Sequence, residues 1–280
     1  MPVCDVCFRH CKIEENAVGF CGARICRGGQ IVPGNYGKIT SAALDPIEKK
    51  PLKMFESGKM ILSVGSYGCN LRCPFCQNST ISWSEKAFKY KADFYSPEEI
   101  VRTALMLRNR NNIGIAFTYN EPLVGYEFVR DTARLSKEAG MKNVLVTNGC
   151  ASLKVLDEIK KHIDAMNIDL KSFSDGFYKN LVGGDFQMTK DFITGAVQAC
   201  HVELTTLIIP DENDGEEEMR NLSAWISDLE KRCGKKIPLH VTRFFPCFHM
   251  PDKEPTPISK IMSLVDVARE NLDFVFPGNV

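Results

Sequence analysis

The sequence predicts an α/β fold, namely a partial TIM-like (β/α)6 barrel that follows a small cysteine-rich segment. Over residues 58–280, short apolar and β-branched runs alternate with amphipathic stretches, which is typical of parallel strands joined by helical crossovers. Six such units are recognisable in about 220 residues, whereas a closed eight-unit barrel takes about 250. Residues 1–57 are instead rich in glycine and cysteine. We therefore expect two domains, 1–57 and 58–280.

The elements follow from hydrophobic periodicity. The predicted strands are Ile61–Ser66, Ile113–Thr118, Asn143–Thr147, Ala165–Leu170, Val202–Ile209 and Leu239–Phe245. The predicted helices are Ser96–Arg108, Leu123–Ala139, Leu153–His162, Lys190–Ala199 and Glu216–Arg232. The first of these helices begins with Ser, Pro and two Glu, which is a typical helix start.

The composition excludes several classes of protein. The 280 residues carry 35 Lys and Arg against 35 Asp and Glu, which is unlike a nucleic-acid-binding surface. No apolar run reaches the roughly 18 residues of a membrane span, and the first residues do not resemble a secretory signal. The expected location is the cytosol, where 12 cysteines indicate metal binding more than disulfides.

Three cysteines lie together directly after the first predicted strand. Cys69, Cys73 and Cys76 have the spacing C-x3-C-x2-C and supply three thiolates from one tight loop. A [4Fe–4S] cluster normally takes four cysteine ligands, so three ligands leave one iron open to a substrate or cofactor. The loop therefore indicates a reactive cluster rather than a simple electron carrier.

Polar residues lie at or just after the ends of the next four strands, namely Asn120 and Glu121, Thr147 and Asn148, Asp169 and Lys171, and the segment Pro210–Asp214. The last strand itself contains His240 and Arg243. Because the carboxyl ends of parallel strands meet at one rim, these side chains are expected to share one polar pocket with the cysteine loop. Asp169 and Lys171 lie two apart and should face the same side of their strand.

A second cysteine group lies near the N-terminus. The four thiolates of this group belong to Cys4, Cys7, Cys11 and Cys21. They lie in a short segment that has little hydrophobic core of its own and needs a bound metal to fold. A zinc ion and an iron–sulfur cluster both suit these ligands, and Cys26 could replace Cys21 as the fourth. We read four other cysteines as small buried side chains, namely Cys150, Cys200, Cys233 and Cys247.

The cysteine loop, with Phe75 in its aromatic position, resembles the signature of the radical S-adenosylmethionine (radical SAM) superfamily. Within it, the chain is similar to the pyruvate formate-lyase activating enzyme group and most of all to the radical SAM member of the AmmeMemoRadiSam system. The segments that carry this resemblance are Asp45–Leu52, Gly68–Asn78, Tyr119–Pro122, Thr147–Gly149 and Asp169–Lys171.

The resemblance implies a [4Fe–4S] cluster on the three loop cysteines and S-adenosylmethionine on its open iron. Glu121 would pair with the ammonium group of S-adenosylmethionine, with Asn120 beside it; alternatively this segment only caps a helix. Asp169 and Lys171 would meet the ribose hydroxyls and the carboxylate, unless they form only a surface ion pair.

Three further residues are weaker candidates for cofactor binding. Thr147 and Asn148 also fit an ordinary turn, and Phe75 fits either adenine stacking or the core. We predict no catalytic residue beyond the cluster and cofactor site. Activating enzymes often carry a late histidine on the last barrel strand; here the nearest one is His240, and Arg243 is followed by Phe244 and Phe245.

The implied reaction is reductive cleavage of S-adenosylmethionine to methionine and a 5′-deoxyadenosyl radical, which takes a hydrogen atom from an undefined protein or small molecule. The alternatives are an activating enzyme that places a glycyl radical on a partner protein, and a zinc-bound interaction module without redox chemistry. The expected electron donor is a low-potential flavodoxin or ferredoxin.

Overall fold

The computed structural model describes residues 1–83 and 91–280. Its strands are β1 (Arg24–Arg27), β2 (Gln30–Pro33), β3 (Lys38–Ile39), β4 (Ser41–Pro46), β5 (Met60–Gly65), β6 (Asp93–Phe94), β7 (Asn112–Phe117), β8 (Lys142–Thr147), β9 (Ala165–Asp169), β10 (His201–Ile208), β11 (Leu239–Arg243) and β12 (Val275–Gly278). Eight of them form one sheet in the order β12-β11-β10-β9-β8-β7-β5-β4.

The sheet is parallel from β5 to β12, and β4 joins its other edge antiparallel to β5. The six predicted strands are β5, β7, β8, β9, β10 and β11, and together they make six consecutive parallel strands. The α/β fold of a partial barrel is therefore confirmed. Two strands extend it beyond the prediction, β4 before the six and β12 after them.

The helices are α1 (Ser79–Ser82), α2 (Pro97–Met106), α3 (Tyr126–Glu138), α4 (Leu153–Ile159), α5 (Phe186–Ala199), α6 (Glu216–Cys233) and α7 (Ile258–Arg269). At α2, Ser96 accepts a hydrogen bond from the Glu99 N–H while the Glu99 carboxylate accepts one from the Ser96 N–H, which is a capping box. In the part of the chain that the structure describes, no helix is long and apolar enough to cross a membrane.

The core lies between the sheet and the helices. Ile115, Leu145, Ile168 and Leu204 each come from a different parallel strand, and none is measurably exposed. Strands covered on both faces read as continuous apolar runs, which is why the sequence reveals them. The sheet thus forms a rigid frame that carries the loops at its carboxyl edge.

The cysteine-rich segment contains a β1–β2 hairpin whose turn is Gly28-Gly29. Both glycines have positive φ, and their N–H groups donate to the Glu15 carboxylate at 2.8 and 3.0 Å. This segment also supplies β4 to the main sheet. The domain boundary at residues 57–58 stays a prediction.

The amino-terminal end of the barrel is closed by the chain before β5. Glu203 on β10 is fully buried, and its carboxylate accepts hydrogen bonds from the N–H groups of Lys53 and Met54 at 2.9 and 2.7 Å. The imidazoles of His201 and His240 also contact it, at 2.9 and 2.7 Å. This carboxylate therefore ties the floor of the barrel to two strands.

Candidate functional site

A cavity of about 390 Å³ opens at the carboxyl ends of the parallel strands. Its lining includes every residue that the sequence assigned to the loop cluster and the cofactor, namely Cys69, Cys73, Phe75, Cys76, Asn120, Glu121, Thr147, Asn148, Asp169 and Lys171. The structure thus brings together residues that are up to about a hundred positions apart in the chain, as the rule for strand ends predicts.

The cysteine loop is held by its own backbone and by Arg72. The Arg72 guanidinium donates to the carbonyls of Cys69 and Leu71, both at 2.8 Å, and to that of Phe20 at 2.5 Å. Burial raises the pKa of Cys69 well above its ordinary value and that of Cys73 to about 11. The Cys69 thiol also lies near Glu121 and Cys73, and these negative charges raise its pKa further.

Glu121 lies four residues beyond the end of β7, and its carboxylate is buried. The carboxylate accepts hydrogen bonds from the Leu123 N–H at 3.0 Å, the Thr147 hydroxyl at 2.6 Å and the Asn148 N–H at 2.8 Å. Burial outweighs these bonds and raises the pKa of Glu121 to about 7. The bond to Leu123 caps the 3₁₀ helix Pro122–Gly125, so the predicted capping role is present. A carboxylate has about four acceptor sites, which leaves one for a ligand.

The side-chain amides of Asn120 and Asn148 form hydrogen bonds with other groups of the protein. Asn120 accepts from the Ser66 N–H at 2.9 Å and donates to the Gly68 carbonyl at 3.1 Å. Asn148 donates to the Asn70 side chain at 2.9 Å and to the Cys69 sulfur at 3.7 Å. Both asparagines therefore position the cysteine loop against the strand ends.

Asp169 and Lys171 form an ion pair at 2.9 Å on the wall of the cavity. Burial alone would lower the pKa of Lys171, but the charges of Asp169 and Cys73 outweigh burial and raise it. The Lys171 side chain is 15 % exposed and that of Asp169 is 34 % exposed. The pair is thus a feature of the cavity wall, with the Asp169 carboxylate partly open to a ligand.

Phe75 is 5 % exposed and lies 6.5 Å from the Phe177 ring, so it packs in the apolar layer beneath the loop as well as lining the cavity.

His240 points elsewhere: it contacts Glu203 at the barrel floor and is absent from the cavity lining. Arg243 donates to the Thr256 carbonyl at 2.7 Å. The phenyl group of Phe245 lines the cavity instead.

Sequence reasoning missed a second set of lining residues. Lys50 is only 4 % exposed and pairs with Asp45 at 2.9 Å, and the Tyr119 hydroxyl donates to the same carboxylate at 3.1 Å. Tyr119 has a φ of 73°, a strained left-handed value for a residue other than glycine. The segment Asp45–Leu52 carried part of the family resemblance, which was the available signal for a role at this rim.

The N-terminal cysteines line a separate, apolar cavity. Cys4, Cys7, Cys11 and Cys21 all face it, together with Arg9 and Arg24. Cys26 does not line it; its thiol donates to Glu15 instead. Across residues 1–83 and 91–280, no three His, Cys, Asp or Glu side chains are arranged to hold a single metal ion, either here or at the cysteine loop.

Comparison with known proteins identifies the family. The model of the radical SAM superfamily matches residues 63–223, which is more than half of the chain. The chain belongs to the radical SAM superfamily. An uncharacterised protein of Methanocaldococcus jannaschii is 38% identical over 99% of this chain and 81% of its own. The pyruvate formate-lyase-activating enzyme of Clostridium pasteurianum is 29% identical over 58% of this chain and 67% of its own.

A solved structure agrees on the fold. That of Streptococcus suis SuiB bound to S-adenosylmethionine matches with a TM-score of 0.57 and 12% identity, and covers 76% of this chain and 48% of its own. The family match over residues 63–223, rather than this likeness of fold, makes the chain a radical SAM enzyme whose cofactors are a [4Fe–4S] cluster and S-adenosylmethionine. The cavity fits both groups: three thiols and no fourth cysteine are among its lining residues, and a carboxylate and an ammonium group flank them.

Proposed function

We propose that this radical SAM enzyme uses the described cavity to cleave S-adenosylmethionine and abstract a hydrogen atom from a protein or small molecule, as an enzyme of the AmmeMemoRadiSam type. The observation that carries the proposal is the convergence of Cys69, Cys73 and Cys76 with Glu121 and the Asp169–Lys171 pair on one cavity. Membership in the superfamily and similarity to activating enzymes support it.

Cys69, Cys73 and Cys76 would hold the cluster. When bound, the cluster supplies the electron that breaks a sulfur–carbon bond of S-adenosylmethionine and so yields methionine and the 5′-deoxyadenosyl radical. The chain's part is to hold the three thiolates in one loop at the strand ends, with Cys73 buried and Cys69 and Cys76 half-buried. Arg72, Asn120 and Asn148 fix the loop through carbonyl, amide and sulfur contacts.

Glu121, Asp169 and Lys171 would hold S-adenosylmethionine. The free acceptor site of the Glu121 carboxylate suits an ammonium group, because charge-assisted hydrogen bonds are the strong ones. Lys171 suits the carboxylate of the cofactor, and the partly open Asp169 suits ribose hydroxyls. Thr147 acts through Glu121, to which its hydroxyl donates.

The direct test is anaerobic. Protein reconstituted with iron and sulfide and reduced with dithionite should convert S-adenosylmethionine to methionine and 5′-deoxyadenosine, measured by liquid chromatography and mass spectrometry. Unreduced protein is the control and should give neither product. A colourless protein that takes up no iron would refute the proposal and favour a zinc-bound module.

Replacing Glu121 with glutamine is expected to weaken the binding of S-adenosylmethionine about 10- to 100-fold. This change in the dissociation constant corresponds to roughly 1.5–3 kcal/mol, which is the contribution of a hydrogen bond to a charged group. The measurement is the dissociation constant on cluster-loaded protein by equilibrium dialysis. Thr147→Val is the matched control, since it removes a donor to Glu121 and keeps the carboxylate; its constant should change several-fold less. Equal constants for Glu121→Gln and the wild type would remove Glu121 as a ligand.

The substrate class separates two versions of the reaction. Similarity to the pyruvate formate-lyase-activating enzyme of Clostridium pasteurianum covers 58% of the chain, and the two versions differ in whether the hydrogen atom comes from a glycine of a partner protein. Candidate partner proteins carrying deuterated glycine decide the question. Deuterium in 5′-deoxyadenosine would establish glycyl radical formation and overturn the AmmeMemoRadiSam assignment.

A further inference from the structure

A buried ammonium group lines the cofactor cavity on the side away from the cysteine loop. Lys50 and Lys49 are both lining residues, and the side chain of Lys50 is only 4 % exposed. Its partner Asp45 pairs with Ile61, near the amino end of β5, whereas the cysteine loop follows the carboxyl end of β5 at Gly65. These two positions of β5 are about 13 Å apart at the usual rise of a strand. Lys50 therefore enters the cavity from the amino-terminal side of the cofactor residues.

The wall of the cavity also includes residues within the strands, not only residues at their ends. These are Val146 on β8, Thr205 and Leu207 on β10, and Thr242 on β11. The segment that contains Lys50 is tied to this wall, because the Asn167 amide donates to the Pro51 carbonyl at 2.9 Å and accepts from the Thr205 hydroxyl at 3.0 Å. The cavity thus continues into the barrel, and its wall near Lys50 is part apolar and part hydroxyl.

Tyr119 connects Lys50 and Asp45 to the cofactor residues. Its hydroxyl donates to Asp45 at 3.1 Å, and its ring lies 5.1 Å from the Lys50 ammonium. Its φ of 73° is strained, and it packs against Gly65, where a Cβ would lie 2.8 Å from its own Cβ. Strained residues of this kind cluster at ligand sites. Here the strained backbone directs the phenol from the neighbourhood of Glu121 to Asp45.

The charges at this end of the cavity do not balance. The ammonium groups of Lys50 and Lys49 lie 2.9 and 3.6 Å from the Asp45 carboxylate. Burial alone would raise the pKa of Asp45, but hydrogen bonds from Lys50 and Ser63 lower it to about 2, so the carboxylate is ionised. Burial raises the pKa of Tyr119, which keeps the phenol neutral. Two cations beside one anion leave one positive charge.

The Lys50 ammonium can accommodate a second anion. Among residues 1–83 and 91–280 its hydrogen-bond acceptor is Asp45, whereas an ammonium has three donors. A carboxylate at the remaining donors would form a charge-assisted hydrogen bond and would neutralise the excess charge. A phosphate monoester carries about 1.5 to 2 negative charges at neutral pH, which exceeds that charge. The balance of charges therefore favours a carboxylate.

We propose that Lys50 anchors the carboxylate of a small-molecule substrate whose other atoms lie along the inner wall of the cavity towards the cofactor. The inference rests on the proposed function and narrows its substrate to a small carboxylic acid. Lys50 is nearly inaccessible from outside, and the cavity measures about 390 Å³, so a small molecule reaches this ammonium more readily than a folded protein does.

The first experiment measures binding of carboxylic acids to the wild type. The probes are radiolabelled butyrate, benzoate and 3-phenylpropionate, each with its neutral amide, in equilibrium dialysis against cluster-loaded, unreduced protein with saturating S-adenosylmethionine. At least one acid should bind with a dissociation constant of about 1 mM or lower, and its amide should bind at least about tenfold more weakly. Acids that bind no better than their amides would overturn the proposal. Acid binding that S-adenosylmethionine abolishes would assign Lys50 to the cofactor and would also overturn it.

The second experiment repeats the dialysis with variants. Lys50→Met keeps the length of the side chain and removes its charge, so it should weaken acid binding about 10- to 100-fold. The double variant Asp45→Asn, Lys50→Met leaves no unpaired charge and should show the same loss. Lys53→Met, an exposed neighbour outside the cavity lining, should bind the acid within about twofold of the wild type.

Asp45→Asn alone separates an anchor from a structural ion pair. It removes the anion and keeps the Lys50 ammonium, so acid binding should be retained or strengthened. Equal losses in Asp45→Asn and Lys50→Met would show that the pair only supports the fold and would overturn the anchor. The dialysis requires no electron donor and measures no turnover. A wild type that does not cleave S-adenosylmethionine would therefore refute the proposed function without changing the measured binding of the acids.

Discussion

Replacing Cys73 with alanine is expected to reduce the cleavage of S-adenosylmethionine at least about 10³-fold, or about 4 kcal/mol in the activation barrier. Cys73 is the central one of three loop thiols and is 8 % exposed on the wall of the cavity. With three ligands for a cluster that normally takes four, the loop has no spare thiolate to replace a lost one. The measurement is 5′-deoxyadenosine formed by reduced, reconstituted protein.

The matched control for this variant is Cys150→Ala. Cys150 is fully buried in the same apolar cluster as Cys73, but it does not line the cavity. Both substitutions remove one buried sulfur, so both should cost a similar, small amount of stability. The control should keep its cleavage rate within about twofold, a change well below 1.4 kcal/mol. Full activity in Cys73→Ala would show that the loop cysteines are not the cluster ligands.

The strands of the barrel were predictable because they are buried on both faces. Runs such as Ile113–Thr118 carry no polar side chain before their last residue, and β7 lies within one residue of that run. The edges were missed for a physical reason. β4 is half exposed, and β12 is a four-residue strand that contains Pro and Gly, as sheet edges commonly do. Helix α7 carries helical periodicity, at Ile261, Leu264, Val265 and Ala268, although the predicted helices do not include it.

The candidate site was predictable for the residues at or just beyond the carboxyl ends of strands. Parallel topology fixes which ends of the strands meet, so Glu121, Thr147 and Asp169 could be placed at one rim without coordinates. The contacts of these residues could not be predicted. That Glu121 accepts from Thr147 depends on the register of β7 against β8, and the pairing of Lys50 with Asp45 depends on how the chain crosses the rim before β5. Sequence spacing contains neither piece of information.

At the floor of the barrel, too, the sequence reveals an unusual residue, whereas only the structure reveals its contacts. Glu203 interrupts the apolar run Val202–Ile209, which is a visible anomaly in a buried strand. Its four partners are the adjacent Lys53 and Met54, His201 on the same strand and His240 on β11, so only the folded structure explains how the charge is satisfied. A carboxylate with four donors around it is a feature of stability rather than of the cofactor cavity.

Replacing Glu203 with glutamine is expected to lower the free energy of unfolding by about 3 kcal/mol. Each carboxylate oxygen accepts from one backbone N–H, that of Lys53 or that of Met54. Glutamine has only one carbonyl oxygen, so its NH₂ group must face one of these two backbone N–H groups. Two buried donors then face each other without an acceptor. In a chain of this length such a loss corresponds to a fall in the melting temperature of roughly 6–12 °C, measured by anaerobic calorimetry. Glu254→Gln, the same change at an exposed residue, should shift it by at most about 2 °C.

The acid dependence of stability gives an independent test of the same carboxylate. Burial alone would raise the pKa of Glu203, but the hydrogen bonds from His201, His240 and the two backbone N–H groups lower it to about 2. A lowered folded-state pKa means that the stabilisation is complete above the unfolded-state value, about 4.5, and is lost as the pH falls towards 2. The melting-temperature difference between the wild type and Glu203→Gln should therefore narrow as the pH falls from about 4.5 towards 2. A difference that widens over this acid range would contradict the lowered pKa.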